Sequence, residues 1–201
     1  MRAKRPAHCL LLLLDGVAAP YRSLGEDGRQ IVAFHVAGDL VDLTSLLLGR
    51  VDHSVAAVTP ARVLPVPHAT IQGWIERYPR LGQRLWQDTL IDAAVFREWV
   101  VNVGRRTPYW RTAHLLCELV ARLRAAGLAQ GEPCKLPVPC PALADALGLS
   151  PVHVNRALQE LRDEGLIELR GEALVVLDWR GLKQAAGYDP AYLHQFAAAA
   201  A

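Results

Sequence analysis

The stretch from Leu143 to Leu166 restricts the fold of this chain more than any other. Leu143 and Leu147 stand four apart and so share one helix face. Ala144 is small, which lets a crossing helix come close. Gly148 follows where the chain must turn sharply, a position suited to positive φ. Ser150-Pro151 then restarts a helix, with Ser as N-cap and Pro as first helical residue. Val154, Ala157, Leu158 and Leu161 form the inner face of this second helix. Gly165 ends it, with Leu166 placed for the apolar contact of a Schellman cap. Two helices joined by a tight glycine turn make a helix-turn-helix, whose second helix usually enters the major groove of DNA. Its outer face offers His153, Asn155, Arg156, Gln159 and Arg162. Arginine pairs with guanine, and asparagine or glutamine with adenine. The plainer alternative, a helical hairpin with a polar outer face, leaves the agreement of glycine, small residue and apolar spacing unexplained.

The flanking segments extend this unit to residues 105–187. Residues 167–170 and 173–177 read as two strands, and Gly171-Glu172 between them suits a two-residue turn. Helix, turn, helix and hairpin is the winged-helix order, and Arg170 at the wing tip is within reach of backbone phosphate. Asp178 is placed to cap a last short helix that ends at Gly187, after which residues 188–201 read as a tail. Upstream, residues 104–108 read as a hinge, and Thr107-Pro108 starts another helix with Ala113, Leu116, Leu119, Val120 and Leu123 on one face.

Residues 79–104 predict a long helix opened by Pro79. Trp86, Leu90, Phe96, Trp99 and Val100 are among its apolar residues, and these cover more than one face. A helix apolar on several faces must be buried on several faces, and a second copy of itself is the simplest partner. Before it, up to residue 78, the chain reads as short strands with a final short helix at 69–78. Turn signals at Asp15-Gly16, Gly25 to Gly28, Gly38-Asp39 and Thr59-Pro60 separate β-rich runs at residues 10–14, 31–36, 55–58 and 62–66. The run at 40–48 fits a short helix or a loop.

Composition limits the alternatives. Hydrophobic residues make up 52% of the chain, enough for a buried core, and the net charge of +2 requires any basic footprint to be local. Cys9, Cys117, Cys134 and Cys140 form no C-x-x-C pair and read as free thiols in a reducing compartment. Arg2, Lys4 and Arg5 before a six-residue apolar run resemble a secretory signal, but the run is short of a signal core and of the ~20 residues a membrane span needs. No Ser/His/Asp set, phosphate loop or metal signature stands out, so no enzyme, cofactor or metal is expected.

Residues 143–162, LADALGLSPVHVNRALQELR, followed by Glu164-Gly165-Leu166-Ile167, resemble the Crp/Fnr family of transcription regulators. Gly28 to Ile31 and Ala37-Gly38-Asp39 resemble that family's β-roll. The resemblance spans nearly the whole chain and implies an α+β protein: a sensory β-roll over residues 1–78, a dimer helix over 79–104 and a winged helix-turn-helix over 105–187. The family's recognition-helix arginine falls on Arg156, while its Arg-Glu pair after the turn serine falls on Pro151-Val152, so the operator is expected to differ. The family's cyclic-nucleotide contacts fall on Gly38-Asp39 and His53-Ser54, where the phosphate-pairing arginine is missing, so cyclic AMP is expected to bind weakly or not at all. Only Cys9 lies near the N-terminus, so an iron–sulfur cluster of the kind some relatives carry is not expected. Relatives usually have further strands before the one at residues 10–14, which predicts an incomplete sensory domain or a misplaced start.

The expected protein is a cytoplasmic homodimer that binds palindromic double-stranded DNA. Ser150, His153, Asn155, Arg156, Gln159 and Arg170 are its candidate contacts, and RNA polymerase is its partner if it activates. The alternative is a small-molecule sensor acting through protein partners, in which the helical hairpin serves assembly.

Overall fold

The computed structural model describes residues 8–25, 28–170 and 173–194. Two three-stranded antiparallel sheets form the N-terminal part. β1 (Cys9–Asp15) lies between β4 (Leu40–Val41) and β6 (Arg62–Pro67), and β2 (Ala18–Ser23) lies between β3 (Arg29–Ile31) and β5 (Ser54–Ala57). Leu10 and Leu13 of β1 are buried. Gly16, at φ 85°, makes the turn that ends it, and a Cβ there would collide with the Pro60 carbonyl, so only glycine fits.

One expectation changes in this part and another is met only in part. The run at 31–36 is a strand only to Ile31, and the rest crosses β2 through a single bridge, Ala18 to His35. Its side chains turn inward instead: Phe34 and Val36 are buried in the main core. The run at 40–48 divides into β4 and a one-turn helix, α1 (Ser45–Leu48).

Helix α2 (His68–Arg77) leads into α3 (Pro79–Arg105), which has Pro79 in its first turn. The helix runs through Gly104, and the break falls at Arg106-Thr107. Thr107 Oγ1 caps α4 (Pro108–Ala125) by accepting from Trp110 N. Strand β7 (Cys134–Leu136) then pairs with β9 (Ala173–Val176), which also pairs with β8 (Ile167–Arg170). The wing turn Gly171-Glu172 lies outside the described residues, as do Met1 to Ala7 and the closing alanines. Asp178 Oδ1 accepts from Gly181 N and caps α7 (Trp179–Ala186), which ends at Gly187 with φ 56°.

Residues 188–194, expected as part of a tail, are packed. Tyr188 and Leu193 are buried, and a 3-10 turn at Pro190–Leu193 lies against α3. Phe34 and Ile31 of the sheets, Trp99 of α3 and the buried face of α4 belong to one continuous apolar core that runs on into the C-terminal helices. Among the described residues, no helix is long and apolar enough to cross a membrane.

Candidate nucleic-acid interface

Helix α5 (Cys140–Leu147) and helix α6 (Pro151–Asp163) carry the turn that the sequence marks. Gly148 takes φ 60°, a left-handed conformation that a side chain would strain. Ser150 Oγ accepts from His153 N at 3.4 Å and caps α6. Gly165 N bonds Arg162 O and Leu166 N bonds Leu161 O, the Schellman pattern, with Leu166 buried. Val154, Ala157, Leu158 and Leu161 face the core.

The six candidate contacts differ in how free they are. Asn155 and Arg156 are exposed, and neither side chain is hydrogen-bonded or ion-paired within the described residues. Arg156 and His153 border a cleft between α6 and the start of α4, where Thr107, Pro108 and Tyr109 form the opposite wall. His153 Nδ1 sits 2.8 Å from Ser150 Oγ, so this pair is engaged at the cap. Gln159 donates to Asp163 Oδ1 and accepts from Arg162 Nη1, so its amide is held at both ends. Arg170 lies in β8 and donates to both oxygens of Glu168. That contact is solvent-exposed and weak in the presence of salt, so the arginine is readily surrendered to another anion.

The reading unit is held against the sheets. Arg29 Nε contacts Asp145 Oδ2 at 2.6 Å, and Gln30 Nε2 donates to Ala146 O at 2.9 Å. Arg111 Nη1 donates to Leu147 O. Two open carbonyls at the end of α5, those of Ala146 and Leu147, are therefore satisfied by side chains from β3 and α4. None of these donors was found by reading the sequence, because they lie far from α5 along the chain.

Three of the four residues in the family's ligand positions line two adjoining cavities that share His35, Leu43 and Asp92. Gly38, at φ 101°, and Asp39 line a cavity of about 220 Å³ with Asp88, Asp92 and Arg122. His53 lines a neighbouring cavity of about 690 Å³ with Asp42, Asp52, Arg22 and Arg50. Ser54 lies in β5 opposite Tyr21. Asp39 Oδ2 is taken up internally: it accepts from Val36 N and Arg122 Nη2, both at 2.9 Å, and faces His35. Burial works against the Asp39 charge, but His35 and Arg122 outweigh it and hold the carboxyl below its usual range. His53 Nδ1 pairs with Asp52 at 2.8 Å, and its Nε2 stands 3.9 Å from Asp42 Oδ1. Among the described residues, no three metal-ligating side chains converge.

A reading helix on a tight turn, a wing, and a long helix leading from a β-roll define a two-part regulator that binds DNA. Residues 111–185 match the Crp-like helix-turn-helix domain, and residues 1–78 match the cyclic nucleotide-binding domain. The chain is 30% identical over 166 residues to the nitrogen fixation regulation protein FixK of Bradyrhizobium diazoefficiens, covering 83% of this chain and 69% of that protein. It is 28% identical over 183 residues to the transcriptional activator protein FnrL of Cereibacter sphaeroides, covering 88% of this chain and 72% of that protein. The structure of FixK2 from Bradyrhizobium japonicum superposes with a TM-score of 0.81 at 25% identity, covering 94% of this chain and 92% of that one. The chain belongs to the Crp/Fnr family of DNA-binding transcription regulators.

Proposed function

We propose that this regulator acts in the cytoplasm as a homodimer on a roughly palindromic operator, with the two α6 helices entering successive major grooves. Residues 105–187 form the reading domain, 79–104 the dimer helix and 1–78 the sensory part. Asn155 and Arg156 read base edges. His153, with Ser150 at the cap, borders the same groove, Gln159 lies further along the helix, and Arg170 holds phosphate from the wing. The chain carries out no catalysis, and if it activates transcription it does so by contacting RNA polymerase. The supporting observation is the outward face of Asn155 and Arg156, whose side chains have no partner among the described residues, on a helix whose opposite face is packed.

The test is Arg156→Ala. Loss of one bidentate base contact weakens specific binding by roughly 1–3 kcal/mol and relaxes preference at one base pair per half-site. Arg170→Ala weakens binding evenly across sequences and lowers the salt slope. Titrations at several salt concentrations separate the two, and an unchanged operator affinity for Arg156→Ala rules out this docking.

Cyclic AMP is not the effector on this reading. Arg122 already occupies the Asp39 carboxylate, and His53, which stands at the position of the family's phosphate-pairing arginine, is itself engaged by Asp52 and faces Asp42. Calorimetry with millimolar nucleotide is expected to give no resolvable heat, and a micromolar isotherm would overturn the statement.

A further inference from the structure

Two helices meet at Arg106-Thr107, and the angle between them decides where a reading domain points. The joint itself is bonded. Close to it, Arg106 donates to Asn102 Oδ1 and Asn102 donates to Arg111 O, while Arg106 also reaches Glu98 at 2.6 Å and Glu98 stands 3.2 Å from His114 Nε2, a contact already some way out along both helices that the cluster below reinforces. Bonds close to a vertex resist bending poorly, because a small movement there becomes a large one at the far end of each arm. A cross-member placed out along the arms resists it far better.

Such a cross-member is present. Trp99 lies roughly 10 Å back along α3 from Arg106, and Glu118 roughly 16 Å out along α4 from Thr107, at 1.5 Å per residue. Trp99 Nε1 donates to Glu118 Oε1 at 2.9 Å and to Oε2 at 3.1 Å. Tyr192, from the 3-10 turn, donates its hydroxyl to Glu118 Oε2 at 2.8 Å. Its ring stacks on His114, and Tyr188 meets the same imidazole edge-on. Burial pushes the His114 imidazole down to about 4, with Arg106 adding to the effect, so the stacked ring is neutral. Glu118 is only 1% exposed, and burial raises its carboxyl, with Arg122 the largest opposing influence. Burying a carboxylate is costly unless its oxygens are bonded, and here both oxygens have donors. A leucine at 118 would fill a helix-packing position without that cost, so plain packing does not explain an acid there.

We propose that the Trp99–Glu118–Tyr192 cluster is a strut that fixes the angle between α3 and α4 and thereby sets the spacing of the two reading helices in the dimer. These are positioning residues and touch no DNA. The proposal rests on the reading of a dimer on two half-sites given above. The strut closes a triangle whose third corner is the joint, with Tyr192 as a second donor to Glu118. Residues 188–194 are then part of the reading apparatus.

The test uses the full chain with Glu118→Leu, which removes the acceptor, Tyr192→Phe, which removes one donor, and Glu118→Gln, which keeps an acceptor oxygen. Each is titrated against a half-site, the full operator, and full operators whose spacer is changed by one or two base pairs. Sedimentation and thermal melting accompany each titration. Wild type is expected to penalise altered spacers at least 20-fold. Glu118→Leu and Tyr192→Phe are expected to stay dimeric and keep half-site affinity, to lose about 5- to 20-fold on the native operator, and to tolerate altered spacers within a few-fold. Glu118→Gln is expected to restore most of the spacing preference. A dimeric wild type whose spacing profile is unchanged by Glu118→Leu and Tyr192→Phe overturns the strut alone. So does equal loss on half-site and full operator, which marks a damaged reading domain. A wild type that is monomeric, or binds half-site and full operator equally, overturns the dimer reading and the strut with it.

Discussion

On the proposed dimer, Val100→Asp or Phe96→Asp is expected to convert the protein from dimer to monomer and to lower affinity for a palindromic operator by about 10²- to 10⁴-fold, the range that linking two binding modules supplies. Trp86, Leu90, Phe96 and Val100 lie on one broad face of α3 and are exposed in the single chain, Val100 by 72%. Phe96 and Val100 also wall an apolar groove with Ile31, Val32 and Val103, which is open to solvent in one chain. Each large apolar side chain left in water forgoes roughly 1.5–3 kcal/mol of burial. In the proposed dimer, a second α3 related by a two-fold axis would cover the same stripe on both copies at once. Val100 is the cleaner site, because its exposure leaves the fold of the single chain untouched by an aspartate. Sedimentation gives the mass and a half-site titration shows whether the reading domain survives. A wild-type chain that sediments as a monomer while binding its palindrome tightly would refute the dimer.

Leu161→Ala is expected to lower stability by about 2–5 kcal/mol, the usual cost of a truncated core leucine. Leu161 is fully buried on the inner face of α6, and its carbonyl also accepts the Schellman bond from Leu166. The cavity opens where α6 crosses α4, a contact that helices cannot close without moving the reading face. For a chain of this size the cost corresponds to a melting temperature lower by roughly 4–20 °C. Val152→Ala, at a position 75% exposed, serves as control and is expected to change stability by less than about 0.5 kcal/mol. A loss below about 1 kcal/mol for Leu161→Ala would contradict the packing described for α6.

What was legible in the sequence is what the chain decides locally. Thr107, Ser150 and Asp178 each cap a helix through a backbone amide three residues ahead, so their partners can be read a few letters away. Gly148, Gly165 and Gly187 take positive φ where helices end, again a local demand. Strand β2 escaped notice because Ala-Ala-Pro-Tyr-Arg-Ser has no alternation and carries Pro20, which is rare in a central strand. Trp99, one of the apolar residues that cover more than one face of α3, is only 8% exposed and packs against Phe34 and Glu118, while Trp86 and Val100 are open to solvent. Hydrophobic periodicity shows that a helix has two apolar faces but not which element covers each. The Asp39–Arg122, Gln30–Ala146 and Tyr192–Glu118 contacts join residues 83, 116 and 74 positions apart, beyond any local signal. The reading helix was therefore visible in advance, while the contacts that aim it were not.

Because Gln30 and Arg111 bond the last carbonyls of α5, the reading unit is not a cassette that can be lifted out and refitted. A chimera joining residues 105–194 to a foreign β-roll keeps Arg111 but strips Ala146 of its donor and Asp145 of its arginine. Such a graft succeeds only if the incoming sheet supplies a side-chain amide and a guanidinium at the places of Gln30 and Arg29. The two halves of the chain are thus bound to change together, and a substitution at position 30 alters the footing of a turn 116 residues away.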